Sequence, residues 1–298
     1  MEDMKSGKKK VVVHNGPFHL DDVCAVAVLA LLFDDNIEII RTRDENKIAT
    51  ADYVLDVGSK YDGIHFFDHH QESILRDNGV PYAAFGLVWR SFGEVLCDSE
   101  EVAKIIDQEL VQPSDANDNG VQFFVIRGDL EPFCLHDVIR IFNANWKDKE
   151  RDDDAIFASL VEFAKGLIAR EILRIKARVE GEIIVRKTYL ESTDRQILVL
   201  DENYGVSDSF FAEFPEILFF VAPYGDRWQA KGVRQNPGNL KLRKNFPKKW
   251  AGLRDEELQV VSGVSDAVFC HRNLFMAAAW SKEGAVALAK KALLGRGR

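Results

Sequence analysis

"VVVHNGPFHLDDVCAVAVLALLF", Val11 to Phe33, joins a short apolar run to a much longer one through a polar loop. The segment Val11–His14 is typical of a short buried β-strand. The segment from Asp21 to Phe33 is apolar on nearly every side, which predicts a buried helix capped by Asp21 or Asp22. A strand followed by a buried helix is the pattern of an α/β domain.

Two further strands follow this helix in the sequence. They are "IEIIRTR" and "ADYVLDVGS", and the second ends at Asp56 with Gly58 as its breaker. The order strand, helix, strand, strand predicts a parallel sheet, whose ligand site lies beyond the carboxyl ends of the strands. His14, Asp56 and the run Asp68–His70 all lie at or just after predicted strand ends, so we expect them to meet in one crevice.

The remainder of the chain divides into three parts. "AAFGLVWRSFGEVL" and "EEVAKIIDQELV" predict helices, whereas Gln112–Gly120 ("QPSDANDNG") has the composition of a loop. A helical pattern then runs from Asp152 to about Lys187, and beyond Arg195 short strands and a final helix predict a smaller α+β domain. We therefore predict an α/β protein with an N-terminal parallel-sheet domain (1–150), a connecting helix (151–190) and a C-terminal domain (191–298).

Length and composition agree with two domains. The chain has 298 residues, of which 46% are hydrophobic and 29% charged, as in ordinary globular proteins. The net charge is -9 and the isoelectric point is near 5.4, which argues against a broad basic surface for duplex nucleic acid. A local positive groove is still compatible with these values.

Cysteine spacing and hydropathy predict a protein that lies inside the cell and has no transmembrane helix. The four cysteines are far apart and form no CxxC pair, which is typical of reduced thiols in a reducing compartment. The sequence has no apolar run of about 18 residues, and its N-terminus "MEDMKSGKKK" does not have the pattern of a secretory signal. The sequence leaves the choice among cytoplasm, nucleus and mitochondrion open.

Imidazoles and carboxylates dominate the predicted strand ends and loops. Mixed ligands of these two kinds suit Mn²⁺ above all, with Mg²⁺, Co²⁺ or Zn²⁺ as alternatives. The set is too large for one ion, and a carboxylate shared by two ions about 3.5–4 Å apart is the usual use for such a cluster. Taken singly, Asp21 could cap a helix and His14 could be a structural residue. The occurrence of the whole set at strand ends and loops of one sheet instead favours a dinuclear metal site for attack on phosphorus. The set is His14, His19, Asp21, Asp56, Asp68, His69, His70 and Asp115.

These segments resemble the DHH phosphoesterase superfamily, and within it the Myg-type (melanocyte proliferating gene) family of metal-dependent exonucleases. The resemblance covers nearly the whole chain. The motifs that carry it are "HNGPFHLDD" from His14, "RTRD" from Arg41, "DVGSKYD" from Asp56, "DHHQ" from Asp68, "DANDNG" from Asp115, and the C-terminal "WAGLRDEEL", "SGV" and "VFCH". Asp22 stands where the family motif has glutamate.

The resemblance implies roles for the candidate residues. His14, His19 and Asp56 correspond to ligands of one ion. Asp21, Asp56, His69 and Asp115 correspond to ligands of the other, with Asp56 bridging and Asp118 as an alternative to Asp115. Asp68 would orient a histidine, and His70 would contact the phosphate or the transition state.

The C-terminal domain is expected to supply substrate contacts. The candidates are Arg227, Trp228, Lys231, Arg234, Arg254 and His271. Family members usually carry a glycine pair after the "VFxH" histidine, where backbone could approach phosphate, but this chain has Ala277–Ala279. We expect these alanines to narrow that approach, and the basic and aromatic segment Lys244–Trp250 to compensate in part.

The resemblance implies metal-dependent phosphodiester hydrolysis, as a 3′–5′ exonuclease on single-stranded RNA or short oligonucleotides with two Mn²⁺ ions. Two alternatives stay open. One is a small-substrate phosphohydrolase acting on pyrophosphate, a nucleoside bisphosphate or a cyclic dinucleotide. The other is a non-catalytic regulatory protein that keeps its metal for folding. No membrane partner is expected, and a homodimer is compatible with the sequence.

Overall fold

The structure is a computed structural model that describes residues 7–122, 124 and 131–295. The chain forms two compact units, Met1–Ile175 and Lys176–Arg298. Within the described ranges, no helix combines the length and the apolar character needed to cross a membrane. Within the described residues, no disulfide bond joins the cysteines Cys24, Cys97, Cys134 and Cys270.

The first unit is built on a four-stranded parallel sheet. Its strands are β1 (Lys9–Val13), β2 (Ile37–Arg41), β3 (Tyr53–Leu55) and β4 (Phe66–Phe67). They are arranged in the order β2-β1-β3-β4, and every neighbouring pair is parallel. The chain passes from β1 to β2 on one side of the sheet, and from β3 to β4 on the other side. The carboxyl ends of β1 and β3 therefore flank the switch point, which is where ligands bind in open α/β sheets.

The helices of the first unit are α1 (Leu20–Leu32), α2 (Glu45–Ile48), α3 (Ala84–Cys97), α4 (Glu100–Ile106), α5 (Gln112–Asp118) and α6 (Leu135–Arg140), and α7 (Asp153–Glu191) starts in it. The predicted buried helix is confirmed: α1 is buried from Leu20 to Ala30 and packs against α3. Its N-cap is His19, however, and not Asp21 or Asp22, which lie inside the first turn. The chain thus enters the helix two residues earlier than the acidic pair indicates.

Gln112–Gly120, predicted as a loop, is mostly helical. A π-helical turn, Asp107–Val111, continues α4 directly into α5, and Pro113 lies in the first turn of α5. Proline has no N–H to donate within this continuous helix, and the π-helical turn just before it is where the regular hydrogen-bond pattern is already interrupted. Asp115 accepts buried hydrogen bonds from Arg76 and Gly86, and these hold α5 in a helical conformation although its composition is typical of a turn. The loop prediction was wrong for this reason.

The predicted long helix is confirmed as α7, whose 39 residues extend across the division between the two units. The second unit adds the strands β5 (Ile197–Val199), β6 (Phe219–Tyr224), β7 (Arg227–Gly232), β8 (Ala267–Cys270) and β9 (Met276–Ala279). Its further helices are α8 (Asp208–Ala212), α9 (Asp255–Ser262) and α10 (Lys282–Leu294). The sheet order is β5-β6-β7-β9-β8, with only the β5–β6 pair parallel. This is the α+β arrangement expected.

The sequence did not predict β9, which contains Ala277–Ala279. Strand β9 lies between β7 and β8, and all three alanines are buried. Their backbones are paired with both neighbouring strands, from Trp228–Ala230 on one side to Ala267–Cys270 on the other. The alanines are therefore core residues, and their backbone is occupied by the sheet rather than placed to approach a phosphate.

Candidate metal centre

Adjacent strand ends place the candidate ligands of the first unit. His14 follows β1 and Asp56 follows β3, the two strands at the switch point, and Asp68–His70 follow β4. Helix α1 begins just beyond His14, so His19 and the acidic pair of its first turn face the same edge of the sheet. The convergence follows directly from the parallel topology.

Asp56 is at the centre of the cluster. It has a left-handed backbone with a φ of 53°, which aspartate tolerates better than most residues, and it is 2% exposed. Its Oδ2 lies 3.1 Å from Nε2 of His14, and its Oδ1 lies 3.3 Å from Nε2 of His69. Each oxygen therefore faces a different imidazole, which is the disposition of a carboxylate that bridges two ions.

The first turn of α1 contributes two completely buried carboxylates, Asp21 and Asp22. Asp22 accepts a hydrogen bond from the backbone N–H of His19 at 3.1 Å through Oδ1, and its Oδ2 lies 3.1 Å from Nε2 of His14. Neither oxygen of Asp21 has a hydrogen-bond partner among the described residues. A buried carboxylate without partners is costly, so this position calls for a cation.

Helix α5 brings Asp118 to the cluster, whereas Asp115 is engaged elsewhere. Asp118 Oδ2 lies 3.2 Å from Nε2 of His69, and Oδ1 lies 3.8 Å from Nδ1 of His19. Asp115 accepts hydrogen bonds from Nη2 of Arg76 at 2.8 Å and from the backbone N–H of Gly86 at 3.0 Å. Both oxygens of Asp115 are thus occupied. The geometry therefore favours Asp118 as the ligand from this helix, and not Asp115, which was the first choice from the sequence.

Asp68 is a buried anchor for His70. It accepts hydrogen bonds from the backbone N–H groups of Ser59 at 2.7 Å and His70 at 3.0 Å. Its Oδ1 lies 2.7 Å from Nδ1 of His70, whose side chain is 60% exposed. A carboxylate held by backbone and hydrogen-bonded to an imidazole fixes the orientation of the ring. His70 is therefore oriented, and it remains accessible to a substrate.

Within this cluster, three groups of side chains have ligand atoms close enough to hold an ion, within 4.8 Å of one another. They are His14, His19 and Asp56; Asp56, His69 and His70; and His19, Asp21 and Asp118. The first group coincides with the ligand set that the resemblance implies for one ion. Asp56 belongs to two groups, which agrees with a bridging role.

Burial and mutual repulsion dominate the electrostatics of the cluster. Burial raises the pKa of Asp21, and the charges of Asp56 and Asp118 raise it further. Burial alone would lower the pKa of His14, but Asp22 and Asp56 raise it to about 10. His69 likewise reaches a pKa of about 10, against its burial, because of Asp118 and Asp56. Without a bound cation, protonated imidazoles offset the carboxylates.

The residues fit divalent cations. Five buried atoms of the cluster make no hydrogen bond among the described residues, although the last three lie only 3.1 to 3.3 Å from a carboxylate or an imidazole: both carboxylate oxygens of Asp21, Oδ2 of Asp22, Oδ1 of Asp56 and Nε2 of His69. Carboxylate oxygens and imidazole nitrogens without sulfur are the donor set of Mn²⁺ or Mg²⁺ rather than of structural zinc. Metal ions would satisfy these atoms and balance the charge.

Two residues that shape this site were not predicted from the sequence. Asp22 was considered only as a helix cap and a departure from the family motif, yet it faces His14. Arg41, 3% exposed at its side chain, donates to the carbonyl of Gly16 at 2.6 Å and lies 4.9 Å from the ring centres of Phe18 and Phe157. It thus holds the loop between His14 and His19. The signal was a charged residue at the end of a strand in the "RTRD" motif.

The six candidates for substrate contacts lie in the second unit but do not form one group. Lys231 and Arg234 line a common cleft, and the other four lie outside its walls. Arg227 is over the ring of Trp280, and Arg254 is over the ring of Phe269. The ring of Trp228 faces Nζ of Lys282 at 5.4 Å, and Nδ1 of His271 accepts from the N–H of Asn273.

Comparison with known proteins gives consistent matches over most of the chain. Residues 10–293 match the family described as "Uncharacterised protein family (UPF0160)". The chain is 32% identical over 286 residues to "MYG1 protein" of Chlamydia trachomatis serovar D, covering 92% of this chain and 93% of that one. It is 29% identical over 328 residues to "MYG1 exonuclease" of Homo sapiens, covering 96% and 86%.

Among solved structures, the chain is similar to "pGpG-specific phosphodiesterase - PggH from Vibrio cholrae". The identity is 13%, and the alignment covers 96% of this chain and 99% of that one with a TM-score of 0.33. A TM-score this low does not support a detailed structural correspondence.

Proposed function

The chain belongs to the family described as UPF0160, and we propose that it is a metal-dependent phosphoesterase that acts as an exonuclease. The relative in Homo sapiens is named an exonuclease, which supports this class of activity. The observation that carries the proposal is Asp56, whose two oxygens face His14 and His69 at 3.1 and 3.3 Å beside the unpartnered carboxylate of Asp21.

We propose two ligand sets that combine these distances with the resemblance. His14, His19 and Asp56 would hold one ion, with Asp22 adjacent to His14. Asp21, Asp56, His69 and Asp118 would hold the other: Asp56 and His69 share one group of close ligand atoms, Asp21 and Asp118 share another, and Asp118 lies 3.2 Å from His69. Asp118 thus replaces Asp115 in our proposal. We propose Mn²⁺ as the ion, with Mg²⁺ or Co²⁺ as alternatives, because the donors are imidazole and carboxylate.

The residues of the chain perform the remaining tasks in this mechanism. Bound divalent ions would supply Lewis acidity and a water of lowered pKa for attack on phosphorus. Asp68 orients the ring of His70 through Nδ1, at 2.7 Å, and leaves this exposed ring free to contact a phosphate oxygen and stabilise its growing charge. Arg41 holds the loop between His14 and His19, through the carbonyl of Gly16.

We further propose single-stranded RNA or short oligonucleotides as the substrate, degraded from the 3′ end. The test is hydrolysis of 5′-labelled single-stranded RNA and DNA of about 20 nucleotides. Each substrate is incubated with Mn²⁺, with Mg²⁺ and with EDTA, beside the variant Asp56→Asn. Asparagine keeps the shape of the side chain and tolerates the left-handed backbone, so the variant isolates the charge.

A ladder that shortens from the 3′ end with metal, and that is absent with EDTA and in the variant, is the expected result. Turnover of pyrophosphate or of dinucleotides alone would instead identify a small-substrate phosphohydrolase. Stabilisation by Mn²⁺ without turnover of any phosphoester would overturn the enzymatic proposal and favour a regulatory protein.

A further inference from the structure

The second unit contains a cleft of about 1190 Å³ whose walls are strongly basic. In a chain of net charge -9, its only lining carboxylate within the described residues is Asp208. The basic residues of the walls are Lys231, Arg234, Lys241, Arg243, Lys244, Lys248, Lys249 and Lys291. Such a concentration of one sign of charge in a concave surface attracts anions.

Some of these cations have internal partners. Arg234 is paired with Asp208 at 2.7 Å. Arg243 donates to the carbonyls of Phe211, Phe214 and Ile217 at 2.7 to 2.9 Å, and Lys244 donates to the carbonyl of Gly295 at 3.0 Å. These contacts shape the walls of the cleft, and the three side chains are not available as simple charges.

The other lysines have no carboxylate within ion-pair distance among the residues that the structure describes. They are Lys231, Lys241, Lys248, Lys249 and Lys291. Lys231 is half-buried beside the rings of Phe220 and Tyr224, and burial lowers its pKa. Exposed lysines are ordinarily well solvated, but five around one cleft repel each other unless an anion lies between them.

Aromatic rings complete the cleft. Phe246 and Trp250 are buried in its wall, and Nε1 of Trp250 has no hydrogen-bond partner among the described residues. Phe275 is 39% exposed, and its ring, whose centre lies 4.4 Å from that of His271, lines the cleft. Lysines that neutralise phosphates together with an exposed ring that can stack on a base are the usual elements of single-strand recognition.

We propose that this cleft is a metal-independent binding site for a single-stranded oligonucleotide, with phosphates on the lysines and a base against Phe275. The cleft is slightly larger than the usual small-molecule pocket of about 300–1,000 Å³, and its lysines are spread around it, so it has room for more than one phosphate. The choice of ligand rests on the proposed function, but the binding does not require the carboxylate and imidazole cluster of the first unit.

The test measures anisotropy of labelled single-stranded RNA of about ten nucleotides with the full chain in EDTA. The variant Lys248→Glu/Lys249→Glu reverses two exposed charges of the cleft. The control Lys187→Glu/Lys290→Glu makes the same change of charge at exposed lysines of the second unit outside its walls. We expect about tenfold weaker binding for the first variant, a smaller salt dependence by about two phosphate contacts, and wild-type binding for the control.

A second comparison uses neighbouring residues of one helix. Lys291→Glu should weaken binding and Lys290→Glu should not, because only Lys291 lines the cleft. Equal loss in cleft and control variants would overturn the inference, since binding would then depend on total charge alone. Tripolyphosphate competing as well as an oligonucleotide of equal charge would overturn the role of the base.

The outcomes separate this inference from the proposed function. If the protein binds the oligonucleotide in EDTA through Lys248 and Lys249 but hydrolyses no phosphoester, the binding site in the cleft would be supported and the proposed enzymatic activity rejected. Hydrolysis that depends on Asp56, together with oligonucleotide binding that ignores these lysines, would sustain the enzyme and reject the cleft.

Discussion

Asp115 accepts a hydrogen bond from Nη2 of Arg76 at 2.8 Å, and both side chains are at most 5% exposed. Arg76 also donates to Asp107 at 2.9 Å and to the carbonyl of Pro81 at 3.1 Å. The second oxygen of Asp115 accepts a hydrogen bond from the backbone N–H of Gly86 at 3.0 Å, which anchors helix α5 against α3. Because Asp118 lies three residues after Asp115 in the same helix, this buried network also positions the carboxylate that faces His69.

The first prediction concerns stability. Asp115→Asn should lower the free energy of unfolding by about 3 kcal/mol, because it leaves the buried Arg76 with less compensating charge. Urea unfolding in EDTA measures this loss. The matched variant Asp118→Asn should cost less than about 1 kcal/mol, since the lost pairing with His69 is offset by removal of a charge that raises the pKa of Asp21. The reverse order of stabilities would contradict the assignment of the two aspartates.

The second prediction concerns activity at the same pair. Asp118→Asn should reduce metal-dependent hydrolysis by about 100-fold or more, because the ion beside His69 would lose a charged ligand. The rate of Asp115→Asn, assayed at a temperature where that variant is folded, should fall much less. Initial rates at saturating Mn²⁺ provide the comparison. Normal turnover by Asp118→Asn would return Asp115 to the ligand set.

The third prediction concerns metal binding by Asp56→Asn. In EDTA the variant should melt below the wild type, because burial would raise the pKa of Asp56 but His14 and His69 lower it below its usual range, so the folded state favours the charged carboxylate. The stabilisation that Mn²⁺ gives the wild type should be lost, because binding to the folded state is the source of that stabilisation. Thermal unfolding with and without Mn²⁺ gives both values. A full Mn²⁺ response in the variant would exclude Asp56 as a bridging ligand.

Arg41 gives a fourth prediction. Arg41→Lys keeps the charge but loses the planar group that lies beside Phe18 and Phe157 while donating to Gly16 and Asp154. The loop that carries His14 and His19 should then be less well held, with Mn²⁺ affinity about tenfold weaker. Calorimetric titration measures this affinity. Arg43→Lys, at an exposed position two residues away, is the control and should bind Mn²⁺ normally.

The parallel sheet and the convergence of strand ends were predictable because short apolar runs and polar ends are local signals. His14, Asp56 and His69 follow their strands directly, so their meeting needed only the topology. Asp118 was ranked below Asp115 because that choice depends on Arg76, a partner 39 residues away in sequence. The basic cleft was anticipated only in part, through Lys231, Arg234 and the segment Lys244–Trp250, since its lysines come from β7, the segment 241–249 and α10. Such non-local contacts leave no periodic signal.

Asp62 gives the last prediction, on pH dependence. Its Oδ1 accepts hydrogen bonds from the backbone N–H groups of Ile64, His65 and Phe66 at 2.8 to 3.0 Å, just before β4. Burial would raise the pKa of Asp62, but these three donors lower it to about 2. The folded state binds a proton on Asp62 more weakly than the unfolded chain does. The carboxylate therefore stabilises the fold above its unfolded pKa, near 4, and this contribution disappears as the pH falls towards 2.

After allowance for solvent screening, Asp62→Asn should lower the free energy of unfolding by about 1 kcal/mol at pH 7, and the difference from wild type should shrink steadily between pH 4.5 and pH 3. Urea unfolding across this range measures it, with the exposed Asp77→Asn as a control that should differ little from wild type at any pH. A difference that stayed constant down to pH 3 would show that the three hydrogen bonds do not depend on the charge of Asp62.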